Sequence, residues 1–233
     1  MYRGSCRASV LIFWASVVSS NTLVAQIAGM PVQHAGARAG AGLSLDAAGA
    51  RGGLFYALGA DIGIGPIAFA GTLGSSTLNS PVSAGYRGRA ATVSVQLPRI
   101  TGTPFELTLQ AGAGRAEYLA EVRCGLAQLA VPCPAYDYWY PVGLGIVFTK
   151  RWRPTLRPWV MPRLDFTRED LGGHGNLTTR HRTFGISAGI DVVYADGLGF
   201  RGAIDRRTRF SWEQPSGWSA SFGVRVRSQL FRR

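Results

Sequence analysis

The sequence predicts an all-β chain folded as a transmembrane, antiparallel up-and-down β-barrel. Three observations carry that expectation. Large apolar residues alternate with glycine, serine, threonine or single charges in runs of about ten residues, the period-2 signature of strands whose faces meet different surroundings. Beyond the N-terminus, no apolar run approaches the roughly 20 residues of a helical span, whereas a tilted membrane strand needs only about 9–11. The links also sort themselves: compact turns or tight basic segments alternate with longer Ser/Gly/Pro-rich loops, the asymmetry of a barrel with one outward-facing end.

The clearest stretch is residues 181–210. Phe184, Ile186, Ala188, Ile190, Val192 and Tyr194 take every second position, with Gly185, Ser187, Gly189, Asp191 and Val193 between them. Ala195-Asp196-Gly197 is a tight-hairpin signal. The returning strand places Leu198, Phe200 and Ile204 on one face and Arg201, Asp205 and Arg207 on the other. A soluble sheet turns its charged face to water. Here the polar face is too small and sparsely charged for that, which suits lipid outside and a narrow polar lumen inside.

The chain of 233 residues divides into a leader at 1–25, a lead-in at 26–38 and a barrel at 39–233. Arg3 and Arg7 precede the apolar run 8–18, and Thr22 to Ala25 offers a cleavage site, the layout of a secretory signal peptide. Its removal leaves a net charge of about +10 from the +12 of the whole chain. Those positive charges are scattered singly, with no basic helix, zinc-ligand cluster or aromatic RNA-binding motif, so nucleic acid is not an expected partner. No metal or cofactor is expected either. Cys124 and Cys133 lie in one connection of an exported chain and are expected to form a disulfide.

In order, ten strands are expected. The first, from Ala39 to Ala47, is alanine-rich, which keeps eight strands open as the alternative count. The second spans Leu54 to Gly63 and turns at Gly65-Pro66; the third begins at Ile67, before a loop at 76–84. The fourth and fifth alternate through Ala91–Leu97 and Phe105–Gly114. A long irregular stretch at 119–137 is expected before the sixth, Tyr138 to Thr149. The basic link 150–158 leads to the seventh, Val160 to Thr167, and a polar loop at 168–180 precedes the eighth and ninth. The tenth carries Trp218, Phe222, Val224 and Val226 on its apolar face.

On this pattern the chain resembles the small outer-membrane β-barrel proteins of Gram-negative bacteria, across about 39–231. Tyr136, Tyr138, Trp139, Tyr140, Trp212 and Trp218 are read as an outer aromatic girdle, with Trp152, Trp159 and Phe200 as an inner one. Family members end the last strand in an aromatic residue read by the barrel-insertion machinery. Phe231 stands close to that place, although Arg232 and Arg233 follow it. The resemblance implies the cell outer membrane, a monomer, and lipid and lipopolysaccharide as surroundings.

Alternation points many charges inward, among them Asp46, Asp61 and Glu106. A lumen network is expected from Arg163, Asp165, Asp191, Arg201, Asp205, Arg207, Arg225 and Arg227, since charges in a water-poor interior persist only when paired. Such a network plugs a barrel, and a structural or surface-interaction role is the leading expectation. The alternative is a narrow anion-preferring diffusion pore lined by the arginines. A surface enzyme hydrolysing lipid A or peptides is less favoured: Glu169, Asp170, His174 and His181 sit in or beside a Gly-rich stretch with nothing to position them, and no catalytic residue is assigned. The arginines 87, 89, 123, 168, 180 and 182 are candidates for lipopolysaccharide phosphates. Lys150, Arg151, Arg153 and Arg157 are expected at the inner headgroups.

Overall fold

The computed structural model describes residues 40–50, 53–78, 87–123, 130–149, 155–171, 177–193, 197–209 and 217–228. They form ten strands: β1 Gly40–Ala50, β2 Gly53–Ile64, β3 Ile67–Leu78, β4 Arg87–Gln96, β5 Phe105–Arg123, β6 Ala130–Phe148, β7 Thr155–Leu171, β8 Leu177–Val193, β9 Leu198–Arg209 and β10 Gly217–Ser228. Each strand pairs antiparallel with its neighbours in the chain, and β1 closes on β10 with Ala41 opposite Ser228 and Ala50 opposite Ser219. Closure leaves no sheet edge along the shared length of the strands. The leader, the lead-in, Cys124 and Trp212 lie outside the described residues, as does the side chain of Cys133.

The two ends of the barrel differ in kind. At the end holding the start of β1 and the close of β10, the β2–β3 connection is a two-residue turn. Gly65 (φ 57°) and Gly197 (φ 79°) supply left-handed backbone at the β2–β3 and β8–β9 turns. Adjacent turns are also tied to one another: the Gln96 amide donates to the Pro66 carbonyl (2.7 Å) and the Thr149 amide to the Pro104 carbonyl (2.8 Å).

At the other end β5 to β8 project. Their 17–19 residues exceed the about 9–11 that a membrane crossing uses. This corrects the expected loops. The stretch 119–137 is strand up to Arg123 and again from Ala130, and 168–180 is strand up to Leu171 and again from Leu177. In 119–137 prolines suggest a break, because a proline cannot donate to the ladder, and in 168–180 the polar, glycine-bearing composition suggests one. Here Pro132 and Pro134 are accommodated within β6, opposite Glu121 and Leu119. The ladder does miss steps beside other prolines. The β5–β6 register skips Pro141, and the β6–β7 register skips Pro162.

Burial is inverted relative to a soluble sheet. Large apolar side chains point outward and are exposed, Leu45 at 66 %, Leu73 at 65 % and Val142 at 51 % among them. Asp165, Arg163 and Ser187, at 1–2 %, are among the most buried residues. Inside, an apolar layer of Val147, Trp159, Met161 and Ala203 shares the space with the charges. This is the architecture of a transmembrane β-barrel.

Candidate functional site: the charged lumen

Strand parity builds the lumen. Met161, Arg163 and Asp165 on β7 turn inward while Leu164 and Phe166 turn out, and β9 does the same with Arg201 and Ala203 against Gly202 and Ile204. The inward glycines make room for these long side chains. A methyl group on Gly185 would lie 2.8 Å from the Arg163 guanidinium carbon. One on Gly189 would lie 2.8 Å from the Trp159 ring at Cε2 and 2.6 Å from the Gly202 carbonyl oxygen. The glycine face that reads as weakly polar in sequence is therefore a set of sockets.

The charges fall into three groups. In the first, the fully buried Arg163 guanidinium donates from Nε to both oxygens of Asp165 (3.0 Å each), and from Nη1 and Nη2 to the two oxygens of Asp205 (2.6 and 2.9 Å). Ser187 joins it: its hydroxyl accepts from Arg163 and donates to Asp205 at 2.6 Å. One guanidinium thus bonds two carboxylates, on β7 and β9, and the Ser187 hydroxyl on β8 between them. The fork geometry that allows this belongs to arginine and not to lysine.

In the second group Arg201 Nε donates to Asp191 Oδ1 (3.1 Å), its direct cross-strand partner, and the Trp159 indole donates to the same oxygen (3.3 Å). Toward the tight-turn end, Arg157 pairs with Glu106 (3.1 Å). In the third group Arg225 pairs with Asp61, Arg227 approaches the same carboxylate at 3.6 Å, and Ser44 donates to Asp46 (3.0 Å). A small cavity separates the latter two groups, lined by Asp46, Asp61, Arg201 and Arg225 among others.

The residues named from sequence thus lie in separate groups. Asp205 bonds Arg163 across two strands, while Arg201 bonds Asp191. Arg207 has its backbone on β9, and its side chain lies outside the described set. Sequence reading missed three features. Arg157, expected at inner headgroups, makes the ion pair with Glu106. Trp139 and Trp159, expected in the girdles, are buried inside at 0 % and 3 %. Parity held the signal, because each sits one residue out of phase with outward neighbours, Tyr138 and Tyr140 for the first and Val160 for the second. Tyr140 and Trp218 do face outward and exposed.

At the projecting end, Glu169 and Asp170 fall on opposite faces of β7. Thr179 donates to Glu169 (3.3 Å), while Arg168 and Thr178 donate to Asp170 (2.8 and 3.0 Å). The hydrogen bond from Arg168 holds the Asp170 carboxyl below its usual range. His181 stands opposite Thr167, and His174 lies outside the described residues. Among the described residues, no group of three or more His, Cys, Asp or Glu side chains could hold a metal ion.

No protein-family model and no curated protein sequence matches the chain. Among solved structures, it is similar to the translocator domain of the autotransporter NalP from Neisseria meningitidis, at 14 % identity and a TM-score of 0.46, with 95 % of each chain covered. It is also similar to Neisserial surface protein A, at 13 % identity and a TM-score of 0.36, covering 82 % of this chain and 98 % of that one.

Proposed function

We propose that this chain is an integral outer-membrane β-barrel of structural or surface-interaction type, closed by its own lumen side chains. The observation that carries the membrane assignment is the inversion of burial, with leucines and valines exposed around the wall and paired aspartates and arginines inside. An exterior of this kind is costly in water and favourable in lipid, and a barrel is one of the two architectures that satisfy every backbone group there. The leader-like residues 1–25 agree with export.

The closed-lumen reading is supported by the size and pairing of what fills the barrel. Eight strands leave an interior just wide enough for side chains. The ten here are packed with Trp139, Trp159, Met161 and the bidentate Arg163 group. Neither a solute path nor a catalytic constellation is needed to account for these residues. The part that differs most from a minimal barrel is the sheet projecting from β5 to β8, and we assign the surface role to it.

Single-channel recording in planar bilayers tests the closed lumen. The barrel should insert without steady conductance. Reproducible anion-selective steps would instead favour the narrow pore, with Arg201, Arg225 and Arg227 as its lining.

A further inference from the structure

The outer wall of β2–β5 holds a groove of about 660 Å³, within the about 300–1,000 Å³ of ordinary ligand sites. Its floor is a single row of cross-strand partners, Ala60, Gly71, Ala91 and Ala113. The adjacent row toward the tight turns carries Ile62, Phe69 and Val93 on the same strands. The floor is therefore a gap in an otherwise bulky surface. The backbone does not require it: a methyl group on Gly71 would meet nothing nearer than a carbonyl oxygen at 4.0 Å. Leu58 and Leu73 raise one wall, and Tyr138 and Tyr140 raise the other.

The head of the groove is cationic. In the row next toward the projecting end, Leu73 stands opposite Arg89, Arg89 opposite Arg115, and Arg115 opposite Tyr138. Two arginines thus share one register level on neighbouring strands, and both line the groove. Arg115 lies over the Tyr136 ring at 4.3 Å and the Tyr138 ring at 5.8 Å, contacts that orient a guanidinium. One row further, Arg87 faces Glu117. The three arginines exceed the single carboxylate, so the head attracts an anion. A phosphate matches guanidinium forks in charge and in donor geometry.

We propose that this groove is a specific site for one phosphorylated, multiply acylated lipid of lipid A chemistry. An acyl chain lies on the Ala60–Ala113 floor and a phosphate sits on Arg89 and Arg115. The site rests on the outer-membrane reading above, and it adds a ligand, a stoichiometry and the residues that select it.

Native mass spectrometry of the refolded full chain in detergent tests the site. Bisphosphorylated lipid A, the same lipid after dephosphorylation, and phosphatidylethanolamine are each added, and gel mobility before and after boiling reports folding in parallel. One bisphosphorylated lipid A should remain bound, with little retention of the other two. Gly71→Leu with Ala91→Leu fills the floor without touching the lumen, and Arg89→Ala with Arg115→Ala removes the head. Each pair should lower retention about tenfold or more, from lost acyl contact or from lost charge-assisted hydrogen bonds. Unchanged retention in either folded variant, or equal retention of the dephosphorylated lipid, would overturn the site. A barrel that shifts mobility on heating yet holds no lipid A overturns the groove alone. A chain with no such shift overturns the membrane reading as well.

Discussion

Arg163 on β7 reaches past β8 to grip Asp205 on β9 through two parallel hydrogen bonds of 2.6 and 2.9 Å. The same guanidinium holds Asp165 with its Nε. This one side chain joins three strands inside the barrel, at a place where water does not reach either the guanidinium or Asp165.

Removing it should therefore be costly. Arg163→Met takes the shared guanidinium from Asp165 and Asp205, and breaking a buried pair in this way costs about 3–5 kcal/mol. The expected result is a lower midpoint of urea unfolding in micelles. Adding Asp165→Asn and Asp205→Asn should recover much of the loss, because two buried negative charges are then removed together with the positive one. A single variant as stable as the parent would show that the group contributes nothing to the fold.

The glycine sockets make a paired prediction. Gly189→Ala places a methyl group within 2.8 Å of the Trp159 ring at Cε2, whereas a methyl group on Gly202 meets nothing within 4 Å. Overpacking of this kind costs about 1–3 kcal/mol. The Gly189 variant should unfold at lower urea than the parent, and Gly202→Ala should match the parent.

The outer face predicts depth-dependent cost. Val142, 51 % exposed, belongs to the apolar wall, and an arginine at the midplane of such a wall costs about 2–4 kcal/mol. Val142→Arg should reduce refolding yield into lipid vesicles. Arginine in place of Tyr136, nearer the projecting end of the same strand, should be tolerated better.

How much of this was legible in the sequence depends on which signal a residue carried. The ten strands, the inward turn of Arg163 and Asp165, and the outward leucines follow from period-2 alternation, which survives in every strand. The lengths of β5 and β6 are hidden because Pro132 and Pro134 read as breakers, whereas strands can hold prolines where their missing amides are not needed by the ladder; those of β7 and β8 are hidden because the polar, glycine-bearing run 168–180 reads as a loop. Trp139 and Trp159 read as girdle residues by type, whereas their parity places them inside, where they are buried. The partition of charges was readable only in part. Asp191 meets Arg201 as its direct partner across the β8–β9 hairpin, whereas Asp205 serves Arg163 by reach past β8, and Asp61 meets Arg225 only because β1 lies between β2 and β10 in the closed ring.

At the projecting end, acid should loosen one local contact. The Asp170 carboxyl is held below its usual range by the hydrogen bond from Arg168, so the stabilisation is present above the ordinary carboxylate value of 3.8. It is lost as pH falls through the lower folded value. Proteolysis of the β7–β8 tip by an acid-active protease should accelerate below about pH 4, the ordinary carboxylate range. In Asp170→Asn the rate should already be high at the upper end of the range and should change little with pH.

The central claim, a barrel that lives in the outer membrane, is tested most directly by fractionating cells that express the full chain, followed by gel mobility with and without boiling. The account predicts that the protein sediments with outer membranes, resists carbonate extraction, and migrates differently when left unboiled. Recovery from the soluble periplasmic fraction, with one mobility under both conditions, would contradict it.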